Sequence, residues 1–158
     1  MQTPENQEAK EVSPREKLHA LELEGKYVFH GSPGHISILE PKQAYNFGKE
    51  HGEPSIVATP MADVAIFRAV INSKNFPENH ASSFGVNEDG TLHFEASKDI
   101  LENIKSKKGF VYVLSKAGFK SFEGSPMEFR STKETAPEEV IEVTADDLPE
   151  SIGIYKNK

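Results

Sequence analysis

Tyr27-Val28-Phe29-His30-Gly31-Ser32, followed at once by Pro33 and Gly34, is the stretch on which the reading of the chain turns. An apolar run this short, bounded by Lys26 and by a Pro-Gly pair, reads as a buried β-strand. It delivers an imidazole, a glycine and a hydroxyl to the strand's end. His30 can donate from one ring nitrogen and accept at the other, and Ser32 adds a hydroxyl. Gly31 offers its N–H and C=O with no side chain in the way. These groups suit a ligand carrying an amide and a ribose.

Around that strand the pattern is one of short elements. Residues 1–16 are polar, with Pro4 and Pro14 and no apolar period, and read as a disordered or loosely attached tail. Residues 17–158 read as a single domain. Lys17 to Gly25 predicts a helix through Leu18, Leu21 and Leu23. Ile36, Ile38 and Leu39 form a short apolar anchor, and Tyr45 to Gly52 an excursion that could cover a pocket. Ser55 to Ala58 is a second strand. Thr59-Pro60 then signals a helix start, with threonine as N-cap and proline at the first helical position. That helix carries Val64, Phe67 and Ile71 at helical spacing and is expected to end near Asn75 to Pro77. Ser82 to Glu95 predicts a hairpin turning at Asp89-Gly90, and Ser97 caps a further helix. Phe110 to Leu114 is dense enough to be a central strand. Glu128 to Ser131, Glu139 to Thr144 and Ile152 to Tyr155 complete six or seven strands. Helices fall between strands without regular βαβ alternation, so the class is α+β.

Composition removes several function classes. Hydrophobic residues make up 36% and charged residues 27% of the 158, and no apolar stretch approaches the length of a membrane span. With no apolar region like that of a signal peptide, a cytoplasmic protein is expected. Cysteine is absent, so disulfides and thiolate metal sites are excluded. The formal charge is −7, and residues 128–150 hold most of it: eight carboxylates against Arg130 and Lys133. General nucleic-acid affinity is therefore not expected. The Lys98–Lys108 segment is interleaved with Asp99 and Glu102 and reads as a solvated face. His19, His35, His51, His80 and His93 show no metal-ligand spacing, and no metal is expected. Phosphate loops of the Walker or Rossmann kind are absent.

Three segments in order resemble the catalytic domain of the ADP-ribosyltransferase superfamily, on its diphtheria-toxin and poly(ADP-ribose) polymerase side. Phe29-His30-Gly31-Ser32 looks like that family's opening strand. Ile56-Val57-Ala58-Thr59, with the helix bearing Ala65 and Phe67, is similar to the strand and turn that line its nicotinamide pocket. Met127-Glu128-Phe129-Arg130-Ser131 resembles the late strand with the family's single glutamate. The resemblance covers roughly residues 26–144. It implies split antiparallel β-sheets with short flanking helices, and NAD as substrate rather than resident cofactor.

The resemblance also implies roles. Gly31 and Ser32 would hold the nicotinamide carboxamide, and His30 the adenosine-side ribose. Val57, Thr59 and Phe67 would border the ring. Glu128 would accept a hydrogen bond from the nicotinamide ribose. Glycosidic cleavage develops oxocarbenium character, which a fixed carboxylate stabilises. Nicotinamide would leave, and ADP-ribose would pass to an acceptor: protein, nucleic acid, small molecule or water.

One departure stands out. Many members have a stacking tyrosine where this chain has Val57. Tyr45 or Phe47 could replace it. Taken alone, His30 also reads as a structural histidine, and Glu128 as a surface carboxylate near Arg130. Glu142 competes with Glu128 for the acid's role. The alternatives are therefore a non-catalytic NAD or ADP-ribose binding module and an RNA 2′-phosphotransferase relative. The latter requires several arginines, and the chain has only Arg15, Arg68 and Arg130.

Overall fold

A computed structural model describes residues 12–41, 45–46, 49–50, 54–72, 74–77 and 82–154. The first helix, α1, runs from Pro14 to Glu24. Ser13 caps it: its side chain accepts from Glu16 N–H, and the Glu16 side chain accepts from Ser13 N–H. Gly25 closes it at φ 74°. Residues 14–16, read from sequence as tail, are therefore its first turn. Residues 1–11 lie outside the described residues.

The central sheet sets β1 (Tyr27–Ser32) and β10 (Glu139–Thr144) on either side of β7 (Lys108–Ser115). The short β2 (Tyr45–Asn46) and β3 (Lys49–Glu50) form a hairpin of their own. After them come β4 (Ile56–Ala58), helix α2 (Ala62–Val70), and the hairpin of β5 (Ser82–Val86) and β6 (Leu92–Ala96). Helix α3 (Lys98–Glu102) leads into β7 (Lys108–Ser115), the middle strand of the central sheet. The last strands are β8 (Lys120–Ser121), β9 (Phe129–Ser131), β10 (Glu139–Thr144) and β11 (Ile152–Ile154). A second sheet has the order β4-β9-β8 and a third β11-β6-β5. All pairs are antiparallel except β11 with β6, which is parallel. The class is α+β, as the sequence predicts.

The central sheet is buried on both faces, as the unbroken run Val111-Tyr112-Val113-Leu114 requires. On one face Phe29, Val111, Val113 and Ile141 pack against α2. On the other, Val28, Tyr112 and Leu114 meet Leu39, Ile56, Ala58 and Phe119. Ile38, read as part of the anchor, is exposed.

Helix α2 lies unusually close to the sheet because two strand positions beneath it lack side chains. A Cβ at Gly31 would stand 2.1 Å from the Ala65 carbonyl oxygen, and one at Gly109 would stand 2.0 Å from that of Ala69. Backbone therefore packs on backbone at both points. The helix does not start where the sequence signal points. Thr59 is not its N-cap; Met61 is, with no side-chain cap of its own. Thr59 instead pairs its backbone with Phe29, and its hydroxyl accepts from Met61 N–H. Glu22 of α1 supplies the missing acceptor, taking the Ala62 N–H at 2.8 Å. At the far end, Asn72 donates to the Arg68 and Ala69 carbonyls and Asn75 to that of Val70. Those side chains stop α2 at Val70, short of the expected end. Ser97 sits at the N-cap of α3 but makes no capping bond.

Candidate active site

The site is built where the central sheet and the β4-β9-β8 sheet part. Among the described residues one pair joins their backbones, Phe29 N–H to Thr59 C=O at 2.7 Å and Thr59 N–H to Phe29 C=O at 2.8 Å. Beyond that pair the two edges diverge. In an antiparallel strand, backbone groups alternate between the two neighbours. Phe29 uses the edge away from β7, so Gly31, two residues on, aims its N–H and C=O at that same edge. Among the described residues nothing bonds them there.

A cleft of about 560 Å³, counting its open mouth, fills this gap, a size ordinary for a small-molecule site. Its walls are Phe29 to Gly31 from β1, Val57 and Ala58 from β4 with Thr59 after them, and Val64, Ala65 and Arg68 from α2. Phe84 of β5 closes one side, and Ser125, Met127 and Glu128 come from the segment entering β9. Five of the residues singled out in sequence thus meet: His30, Gly31, Val57, Thr59 and Glu128.

His30 is fixed by a 2.7 Å bond from Nδ1 to the Val57 carbonyl oxygen. A carbonyl only accepts, so Nδ1 carries the proton and Nε2 is the acceptor of the neutral ring. Its ring also lies 6.1 Å from that of Tyr112. Tyr112 donates to the Gly34 carbonyl at 2.6 Å and accepts from Ile36 N–H at 2.5 Å, pinning the loop that leaves β1. Burial pushes the Tyr112 hydroxyl's pKa up, the Ile36 bond opposing it.

Glu128 immediately precedes β9. Arg130 holds it, with Nε 2.6 Å and Nη2 2.5 Å from the same oxygen, Oε2. Arg130 is itself clamped: its side chain is 9% exposed and its guanidinium lies 3.5 Å over the Phe122 ring. Glu128 keeps 32% of its side-chain surface exposed, and among the described residues no hydrogen bond engages its Oε1. A pair so buried on one side differs from the weak surface pair that the sequence also allowed.

Two further site candidates are absent from these walls. Phe67 instead borders an adjoining hollow with Gly31, Arg68 and Phe84. It is 1% exposed and packs on Phe94 at 5.0 Å and Phe84 at 5.9 Å between ring centroids. Ser32 does not line the cleft either; it is buried at the strand's end, where its Oγ accepts from Gly34 N–H. Glu142 is exposed on β10 beside Lys108, 3.6 Å away, and has no part in the cleft. Phe47, His51 and His80 and the side chain of Tyr45 lie outside the described residues.

Sequence reasoning missed Arg68 and Phe84. Arg68 is an exposed residue of α2 whose guanidinium stands over Phe84, 5.8 Å from the ring centroid. Burial depresses its pKa, and attraction to Glu128 only partly offsets this. Phe84 gives the cleft an aromatic wall that the Val57 position does not. Alternation along the predicted hairpin could have flagged it, since Phe84 stands opposite Phe94. No local signal marks Arg68, which reaches the cleft only because α2 crosses the sheet where it does.

No family model, curated protein or solved structure matches the chain. The site must be argued from its own chemistry. Among the described residues no group of His, Asp, Glu or Cys is placed to hold a metal. Nor is any helix among them long and apolar enough to cross a membrane.

Proposed function

We propose that the chain is an NAD-dependent ADP-ribosyltransferase-like protein, cleaving the nicotinamide glycosidic bond and transferring ADP-ribose to an acceptor. One observation carries the reading. Residues 30–31, 57–59 and 128 come from three segments far apart in the chain, and they line a single cleft. The Gly31 edge, with one donor and one acceptor, complements a carboxamide. Val57, Ala58, Val64 and Ala65 make an apolar bed for the ring, with Phe84 at its side. His30, held by Val57, would accept from a ribose hydroxyl at Nε2. Glu128 would accept the 2′-hydroxyl of the nicotinamide ribose at Oε1 while Arg130 holds Oε2. The C–N bond breaks, nicotinamide departs with the bonding electrons, and positive charge develops at C1′. A preorganised carboxylate beside it stabilises that charge. The acceptor then bonds to C1′ and gives up its proton.

A second reading is a non-catalytic binding module of the same fold. The absence of an aromatic side chain at Val57 favours it; the fixed carboxylate at Glu128 speaks against it. The RNA 2′-phosphotransferase reading ranks last, since Arg15 is committed to Asp63 through a two-point ion pair away from the cleft. Incubation with NAD decides between them, with nicotinamide release followed by chromatography and binding by calorimetry. Release that disappears in Glu128→Gln supports the transferase. Binding without release supports the module, and neither binding nor release overturns both.

A further inference from the structure

A second cavity continues along the face of the sheet that bears Glu128. Side chains alternate across a strand, so Arg130 of β9 shares a face with its flanking residues Glu128 and Thr132. Register sets Val57 and Lys120 beside Arg130 on that face, and Ser55 lies two residues before Val57. Here lies a depression of about 1060 Å³, counting its open mouth, walled in part by Ser55, Lys120, Arg130, Ser131, Thr132 and Lys133. Among the described residues three cations line it and no carboxylate does, in a chain of formal charge −7.

An independent observation points to a ligand. Ser55 is 5% exposed, and its buried hydroxyl has no hydrogen-bond partner among the described residues. Buried polar atoms are ordinarily satisfied, and an orphan calls for a reason. The unpaired Ser55 hydroxyl and the three cations therefore line one volume. That combination matches an anion with several oxygens and more than one charge.

We propose that this cavity is an oxyanion site for a phosphate-class group, such as the dianion of a phosphate monoester. Lys120 and Lys133 supply charge at the mouth and Ser55 a hydrogen bond at the floor. Arg130 lines this cavity, while its partner Glu128 lines the cleft. The same guanidinium holds Glu128 Oε2, so an anion in the cavity competes with Glu128 for it and loosens the carboxylate. The site does not depend on the NAD reading, and its test uses no NAD.

The test is calorimetric titration of the full chain with inorganic phosphate, against sodium chloride at matched ionic strength. Nitrogen-edited NMR on the same samples reports the Glu128 amide and Arg130 Nε. Saturable binding is expected, about tenfold weaker in Lys120→Met and in Lys133→Met, the scale of one charge-assisted hydrogen bond. Ser55→Ala should weaken it too without lowering the unfolding temperature. Both NMR signals should shift on saturation. Equal heats with chloride, absence of saturation, or unchanged affinity in both lysine variants would overturn the proposal. If the Glu128 and Arg130 signals stay still on saturation, the coupling is refuted.

Discussion

Replacing Gly31 by alanine tests both the packing and the placement of the cleft. In an ordinary strand the change would stabilise slightly, because alanine loses less backbone freedom on folding, roughly 0.5–1 kcal/mol. Here the new methyl would stand 2.1 Å from the Ala65 oxygen and 2.8 Å from the Ala69 nitrogen. Both are backbone atoms, so no rotamer change relieves the clash, and α2 must lift by about 1 Å over contacts near 3 Å. The helix cannot drift freely. Glu22 caps it, Arg15 and His19 grip Asp63 in its first turn, and Asn75 ties its end to the Lys108 carbonyl. Lifting it loosens the packing of seven buried residues among its nine. Overpacking against backbone falls at the upper end of the usual range, about 3 kcal/mol. For a chain of this length that lowers the midpoint by about 6–12 °C. Gly153→Ala is the control, since its nearest atoms would be 3.8 and 3.9 Å away, and it should change stability by under about 0.5 kcal/mol. Thermal unfolding followed by circular dichroism reads both. A Gly31→Ala midpoint within about 2 °C of the parent's would refute the backbone-on-backbone account of α2.

Glu128→Gln keeps shape and one acceptor oxygen, so folding should persist while nicotinamide release falls by at least about a hundredfold; activity within about threefold would move the chemistry elsewhere. Asp63 gives a pH prediction. Burial alone would raise its pKa, but hydrogen bonds from Arg15 and His19 outweigh it and hold the carboxyl below its usual range. A depressed folded-state pKa contributes stability above the unfolded value, near about 4, which is lost as pH falls through the folded value. Urea midpoints should therefore drop below about pH 4, less steeply in Asp63→Asn; equal slopes would contradict the linkage. Tyr112→Phe leaves the Gly34 carbonyl and Ile36 N–H without their partner and should cost about 1–3 kcal/mol. Faster amide exchange confined to residues 34–36 should accompany it, and unchanged exchange there would dismiss the pinning role.

Much of the local structure was legible because its causes are local. The apolar run Val111 to Leu114 identifies the central strand, and Asp89-Gly90 marks the hairpin, where Gly90 takes φ 89°. Gly25 ends α1 as read. The start of that helix was also available in Ser13-Pro14-Arg15-Glu16, a capping box with proline at the first helical position, although the polar tail obscured it. Where the reading failed, distant residues had intervened. Thr59 carries every mark of an N-cap, yet its backbone is taken by Phe29 and the cap arrives from Glu22, 40 residues away.

The sequence alone determined the strands, the turns and the chemistry at hand: an imidazole, a bare backbone edge and a carboxylate, each written into a short segment. Only the tertiary structure decided which of them meet. It made Gly31 a packing contact as well as a ligand edge, brought Arg68 and Phe84 to the cleft, and paired Glu128 with Arg130. It also left Ser32 off the cleft's walls and set Phe67 in the hollow beside it. The physical reason is the crossing of α2 over the central sheet: close approach of two backbones depends on glycines at 31 and 109, in separate strands. Periodicity within either strand carries no information about the other.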